Sequence, residues 1–310
     1  MEKKYLLISH VADEDGITPV ILSKLVFKNI DFVLTEPRDV DKSYLDNVDK
    51  YDFVYITDLN VSPELALKIN DDEKLKTKTL IFDHHASAIA LNKYDYITVI
   101  DERDGRKESA TSIFYEYLCS VSGNEILHKK STAGLVEQVR IIDTYDFKSE
   151  DDKKAHNLDL LFSILGRENY INYFDNYIKV HDTFTYTDEE AFLIKLEKDK
   201  MDNYIEQKTT EMMRVKLDGY TAGVVFAERY RSQLGNHLIN LYDDIDFALI
   251  ISVARSVSYR GNGKVDLSLF AGKYGGGGHK NAAGSGVPKD LLKNITKLIF
   301  KDVTFEEDGK

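Results

Sequence analysis

From residue 4 to about residue 100 the chain alternates short apolar runs with segments patterned as helices: YLLIS, TPVILSKLVFKN, DFVLTE, a polar segment, FVYIT, SPELALKIN, TLIF and YITVI. This alternation restricts the possible folds more than any other feature. Strands that alternate with helices are joined by crossovers, so the pattern predicts a parallel sheet with covering helices. Residues 109 to 183 read as mainly helical, in pieces such as SATSIFYEYL, STAGLVEQVRII and NLDLLFSIL. A charged stretch with few breakers, about 187 to 216, predicts a connecting helix. TAGVVFA, LGNHLINLY, DFALIISVA, the hairpin-like SVSYRGNGKVDLSLF and LLKNITKLI then form a second, smaller α/β set. The expected organisation is a domain over 1–186, a helix over 187–216 and a domain over 217–310.

Size and composition agree with this division, since 310 residues with 43% apolar side chains and only four prolines are enough for two domains. No run approaches the roughly 18 apolar residues of a membrane span, and MEKKYLLISH enters a strand pattern without a cleavage signal. The expectation is a soluble cytoplasmic protein that makes no use of a membrane. A single cysteine, Cys119, excludes a disulfide framework and a cysteine metal site, and is expected to be inert core. The net charge of −12 argues against a general nucleic-acid coat protein, because long polyanions are held by Lys and Arg on phosphate. Residues 255 to 301 nevertheless carry a balance of +7, which leaves −19 elsewhere and suggests a basic C-terminal module that meets a small anion.

The ends of the first strands are acidic. KKYLLIS finishes at His10 and is followed by Asp13 and Asp15; DFVYIT finishes at Asp58; KTLIF finishes at Asp83, His84 and His85. Singly, each is an ordinary strand end or turn. The carboxyl ends of parallel strands share one edge, however, and ligands bind in the crevice there, so three segments deliver polar groups to one place. Asp143, at the end of the helical pattern in RIIDTYDF, is a fourth contributor. Five such acids with no Lys or Arg in the same motifs would repel one another and take up protons. Divalent cations remove that cost. Mixed carboxylate and imidazole donors suit manganese, zinc, iron or cobalt better than magnesium, and their number suggests two ions roughly 3.5 to 4 Å apart sharing one carboxylate, an arrangement used in phosphoryl transfer.

HVADEDG, ITDLN, FDHH and RIIDTYDF, followed by GGGGHKNAAG, together resemble the DHH phosphoesterase superfamily in the form that carries a DHH-associated C-terminal domain. The likeness is greatest to nanoRNase-type oligoribonucleases and related nucleotide phosphatases, and DEDGIT is similar to part of the first motif of the RecJ exonucleases. The resemblance implies an α/β fold: a parallel-sheet N-terminal domain joined by a long helix to a smaller α/β C-terminal domain. It implies that His10 and Asp13 bind one metal, that Asp15, His84 and Asp143 bind the second, and that Asp58 bridges. Asp83 would orient His84, while His85 would face the scissile phosphate. Many members have three residues between the histidine and the first aspartate, whereas here only Val11 and Ala12 intervene.

Gly275, Gly276, Gly277 and Gly278 precede His279 within the basic segment. Glycines let backbone N–H groups approach an anion, and a helix starting near His279 would point its positive end at it. With Arg255 and Lys280 nearby, the segment is expected to cradle phosphate, as the similar loop does in the family. Tyr145 is a candidate for base stacking, although a core or surface role is the plainer expectation.

These features imply a phosphodiesterase with two divalent metal ions, most simply Mn2+, that acts on short single-stranded RNA or DNA oligomers or nucleotides; nothing in the sequence bears on oligomeric state. Alternatives are a phosphatase for 3′-phosphorylated nucleotides such as pAp, a hydrolase of cyclic-dinucleotide products, and a catalytically silent nucleotide-binding module. A manganese-dependent pyrophosphatase fits less well, because the glycine-rich loop suggests a substrate with more than two phosphates to grip.

Overall fold

The computed structural model describes residues 3–147, 152–253, 256–300 and 302–305. The chain divides into two compact units, Met1–Lys195 and Leu196–Lys310. In the first, β1 (Tyr5–His10), α1 (Glu14–Val26), β2 (Ile30–Thr35), α2 (Val40–Leu45), β3 (Phe53–Thr57), α3 (Pro63–Asp71), α4 (Glu73–Lys76), β4 (Thr79–Asp83) and β5 (Ile97–Val99) build a five-stranded sheet in the order β2-β1-β3-β4-β5. All four strand pairs are parallel, as the alternation predicts. The small hairpin β6 (Glu102–Arg103) and β7 (Arg106–Lys107) leads to the helices α5 (Ala110–Val121), α6 (Lys130–Thr144) and α7 (Asp152–Val180), the last bent at Gly166.

Leu6, Ile8, Val54, Ile56 and Ile81 pack on one face of this sheet against Val40, Tyr44, Leu65 and Ile69. The strand order reverses direction between β1 and β3, and this switch point opens the crevice at the carboxyl edge. His10 and Asp58 stand on either side of it.

Helix α1 begins unusually close to β1. A Cβ at Gly16 would lie 2.2 Å from the His10 carbonyl oxygen, so no other residue fits there. Asp13 caps the helix by accepting from the Gly16 N–H at 3.1 Å. Pro19 lies inside α1 and cannot donate to the carbonyl four residues earlier, that of Asp15. That carbonyl instead accepts the Thr111 hydroxyl of α5 at 2.9 Å.

Helix α8 (Asp188–Thr210) follows, and it ends earlier than its charge pattern suggests. Residues 213 to 216 belong to β8 (Met213–Leu217), which pairs with β9 (Tyr220–Phe226). The second unit continues with α9 (Arg231–Leu241), β10 (Phe247–Ile251), β11 (Ser256–Gly261), α10 (Leu267–Gly272), β12 (Gly277–His279), β13 (Ala282–Gly286) and α11 (Leu291–Ile299). Its sheet runs β12-β13-β11-β10-β9-β8 and is mixed, with β9 and β10 parallel and the other pairs antiparallel. Phe247, Ile250, Leu234, Leu238, Leu267 and Phe270 fill its core.

Two local expectations change here. The LSLF part of SVSYRGNGKVDLSLF is not the second arm of a hairpin but the start of α10, capped by Asp266, which accepts from the Leu269 N–H at 3.1 Å. Nor does a helix start near His279, which ends a strand. A Cβ at Gly276 would lie 2.0 Å from the Gly284 carbonyl oxygen, and one at Gly278 2.6 Å from that of Ala282. These two glycines therefore serve the close backbone packing of the β12–β13 hairpin.

Candidate metal centre

The first unit gathers eight of the residues singled out from sequence. His10 Nδ1 lies 3.1 Å from Asp58 Oδ2 and 3.4 Å from Asp13 Oδ2. His84 Nε2 lies 3.3 Å from Asp143 Oδ2, 3.4 Å from Asp58 Oδ1 and 3.8 Å from Asp15 Oδ2. Each group of three, His10–Asp13–Asp58 and Asp15–His84–Asp143, can bring its donor atoms to a common point. Asp58 touches both groups, one carboxylate oxygen toward each. The two-residue spacing of Val11 and Ala12 thus leaves His10 beside Asp13.

The local chain explains this placement. Asp58 leaves β3 in a left-handed conformation (φ 55°), which aspartate tolerates better than most residues, and its N–H donates to the Phe82 carbonyl at 3.0 Å. The ends of β3 and β4 are thereby tied. Below them, Ser9 Oγ bonds Thr57 Oγ1 at 2.7 Å and donates to the Gly16 carbonyl at 2.5 Å, locking β1, β3 and α1 together. Asp15 is fully enclosed, and its two carboxylate oxygens accept the backbone N–H groups of Ala110 and Thr111 at 2.8 and 2.9 Å. The positive end of α5 holds this anion in place.

The electrostatics are those of a site built for cations. Burial raises the Asp15 pKa to about 6, with the Asp58 charge adding to it, and burial pushes Asp143 well above the usual carboxylate range. Burial opposes protonation of His10, but its bonds to Asp13 and Asp58 prevail and push its pKa up to about 10. Protons thus accumulate where the chain concentrates negative charge. His84 Nε2 and Asp143 Oδ2 are both buried without a hydrogen-bond partner among the described residues, although they converge with Asp15 and Asp58. They face each other at 3.3 Å as an ion pair without hydrogen-bond geometry, and a cation between them would satisfy both. The nitrogen and oxygen donors fit a divalent transition metal.

The placements of Asp83 and Cys119 differ from expectation. Asp83 holds His85, not His84: its Oδ1 lies 2.7 Å from His85 Nδ1, and its Oδ2 accepts from the Asn60 amide. Tyr145 lies at the surface, in keeping with its plainer expectation: it caps α6 in a left-handed conformation, is 58% exposed and stands edge-on to Phe147. Cys119 is only half-buried, and burial raises its thiol pKa. In the second unit Gly275 has a positive φ of 72°, and the exposed Gly277 and His279 lie on β12. Arg255 lies outside the described residues. Asn60 and the Ser109–Thr111 helix start were not singled out from sequence; the S-x-x-S spacing of Ser109 and Ser112, a reciprocal cap, was the available sign of the latter.

No family model matches the chain. Oligoribonuclease NrnB of Bacillus subtilis is 31% identical over 307 residues, covering 96% of this chain and 76% of that protein. A 3′,5′-cyclic-nucleotide phosphodiesterase of Helicobacter pylori is 23% identical over 337 residues, covering 89% and 91%. Among solved structures, the DHH domain of PF0399, described as a member of the s1p family of ribosomal proteins, superposes with a TM-score of 0.63 at 14% identity, covering 96% of this chain and 86% of that one. With 96% of this chain matched to NrnB and the acidic strand ends assembled at one edge of a parallel sheet, this chain belongs to the DHH phosphoesterase family.

Proposed function

We propose that this protein is a divalent-cation-dependent phosphodiesterase that hydrolyses short oligonucleotides and dinucleotides to mononucleotides. The observation that carries the reading is the Asp58 carboxylate shared between two donor groups, in a chain related to an oligoribonuclease. His10, Asp13 and Asp58 would hold one cation, and Asp15, His84, Asp143 and Asp58 the other. When bound, the cations, with manganese preferred, cancel the carboxylate charge and supply Lewis acidity toward the phosphoryl group.

The protein's own groups have three tasks. Asp15, fixed by α5, and Asp58, fixed by the β3–β4 tie, keep the donors rigid, so little reorganisation is left for the reaction. His85 is held at Nδ1 by Asp83, and this contact raises its pKa against the effect of burial. It is therefore suited to stabilise charge on the phosphoryl oxygens or to give a proton to the leaving oxygen. Gly275 to Gly278, His279, Lys280 and Arg255 form the proposed phosphate-binding segment of the second domain, over 217–310. We assign the enzyme to the cytoplasm; no described helix is long and apolar enough to cross a membrane.

The relationship to the Helicobacter pylori phosphodiesterase supports cyclic nucleotides as a second class of substrate. The deciding experiment incubates the pure protein and manganese with end-labelled di- to decanucleotides, cyclic nucleotides, cyclic dinucleotides and pAp. Release of mononucleotides from the shortest oligomers at the highest kcat/KM is the expected result. Exclusive turnover of pAp or of a cyclic nucleotide would replace this reading.

A further inference from the structure

Asn60 lies two residues beyond Asp58 and belongs to neither donor group. Its Nδ2 donates to Asp83 Oδ2, and Asp83 is 1% exposed. The other oxygen of Asp83 lies 2.7 Å from His85 Nδ1. The Asn60 group facing the carboxylate is thus the amide NH2 and not the carbonyl. This orientation leaves Asn60 Oδ1 buried with no hydrogen-bond partner among the described residues. An orphaned acceptor costs about 1–3 kcal/mol, so packing alone would favour an apolar side chain at this position. Its one observed return is the bond to Asp83.

We propose that Asn60 is a positioning residue for phosphodiester hydrolysis: by binding one oxygen of Asp83 it fixes the carboxylate whose other oxygen holds His85 by Nδ1. The proposal rests on the phosphodiesterase reading. With both oxygens committed, the Asp83 carboxylate cannot turn about its Cβ–Cγ bond, and the imidazole plane is set with it. Nδ1 then keeps its hydrogen toward Asp83, and Nε2 is the nitrogen that serves the substrate. A neutral donor is needed, because an acid at position 60 would add a further negative charge against Asp58 and Asp83.

The test compares wild type, Asn60→Ala, Asn60→Asp, His85→Ala and the Asn60→Ala/His85→Ala double variant of the full chain with manganese. The substrates are a trinucleotide and the p-nitrophenyl ester of thymidine 5′-monophosphate, whose leaving group departs without a proton. Asn60→Ala should lower kcat on the trinucleotide about 10- to 100-fold, the usual range for a residue behind the reacting groups, with KM changed less than about threefold and metal content equal to wild type. Asn60→Asp, of the same shape but without the donor, should lose at least as much, so the outcome does not depend on whether the alanine variant folds. In the His85→Ala background Asn60→Ala should add less than about a twofold loss, since contacting groups are not additive; turnover of the p-nitrophenyl ester should fall less than about threefold where His85 protonates the leaving oxygen, and in parallel with the trinucleotide where it stabilises the phosphoryl oxygens. Wild-type kcat in Asn60→Asp, full additivity with His85→Ala, or loss of metal from either Asn60 variant would overturn the proposal. A wild-type protein that cleaves neither substrate would instead refute the phosphodiesterase reading, and this proposal with it.

Discussion

Asp58 Oδ1 lies 3.4 Å from His84 Nε2, at the meeting of two strand ends 26 positions apart, while its other oxygen faces His10. Asp58→Asn keeps the shape but removes the charge that would neutralise two cations. Turnover should fall at least about a thousandfold, the size of single catalytic-group losses. A variant with a tenth of wild-type kcat and full metal content by elemental analysis would disprove the shared-carboxylate assignment.

Removal of divalent cations by a chelator should abolish activity, and manganese should restore it better than calcium. Calcium prefers six to eight oxygens in a larger shell, whereas this site offers imidazoles in two compact groups. Titration of the chelated enzyme with each ion measures the difference, and equal rescue by calcium contradicts it.

Substrate length is limited by charge. The chain carries −12 overall and its one basic stretch is short, so each nucleotide beyond the first few gains few ion pairs. The value of kcat/KM should peak at about two to five nucleotides, and His279→Ala should lower it without loss of metal. Faster cleavage of a thirty-nucleotide strand than of a trinucleotide, at one ionic strength, would reveal a longer binding track and favour RecJ-like behaviour.

Thr111→Val tests the handover created by Pro19. The variant preserves shape but removes the hydroxyl that serves the Asp15 carbonyl, leaving a buried acceptor unmet. Stability should drop by about 1–3 kcal/mol, read as a shift in the urea midpoint at constant slope. An unchanged midpoint would mean that this carbonyl has another donor.

Glu108 predicts part of the acid sensitivity. Burial opposes its ionisation, but the bonds from Ser112, Arg103 and Arg106 outweigh burial and hold its pKa below the ordinary 4.5. Its unfolded-state pKa is therefore the higher one. The stability it contributes is complete above about that ordinary value and is lost as pH falls through the depressed folded value. In Glu108→Gln the slope of unfolding free energy against pH should flatten in this acid range, below about 4.5. An identical slope in wild type and variant would exclude Glu108 as a contributor.

The parallel sheet, its acidic carboxyl edge and the inclusion of His10, Asp13, Asp15, Asp58, His84 and Asp143 in one region were legible in the sequence, because strand period and strand-end residue types are local properties, and parallel connection turns them into a shared edge. Asp143 was legible for a similar reason, as the end of an amphipathic helix. Which partner each group meets was decided only in three dimensions. Asp15 is held by backbone N–H groups 95 and 96 positions away, Asp83 turns to His85 rather than His84, and Asn60 stands behind it. The glycine run illustrates the same limit: glycine signals close approach, but Gly276 and Gly278 approach the carbonyls of Gly284 and Ala282, in a hairpin and not at a helix start. Contacts of this kind depend on packing between distant segments, and residue type alone does not encode which segment arrives.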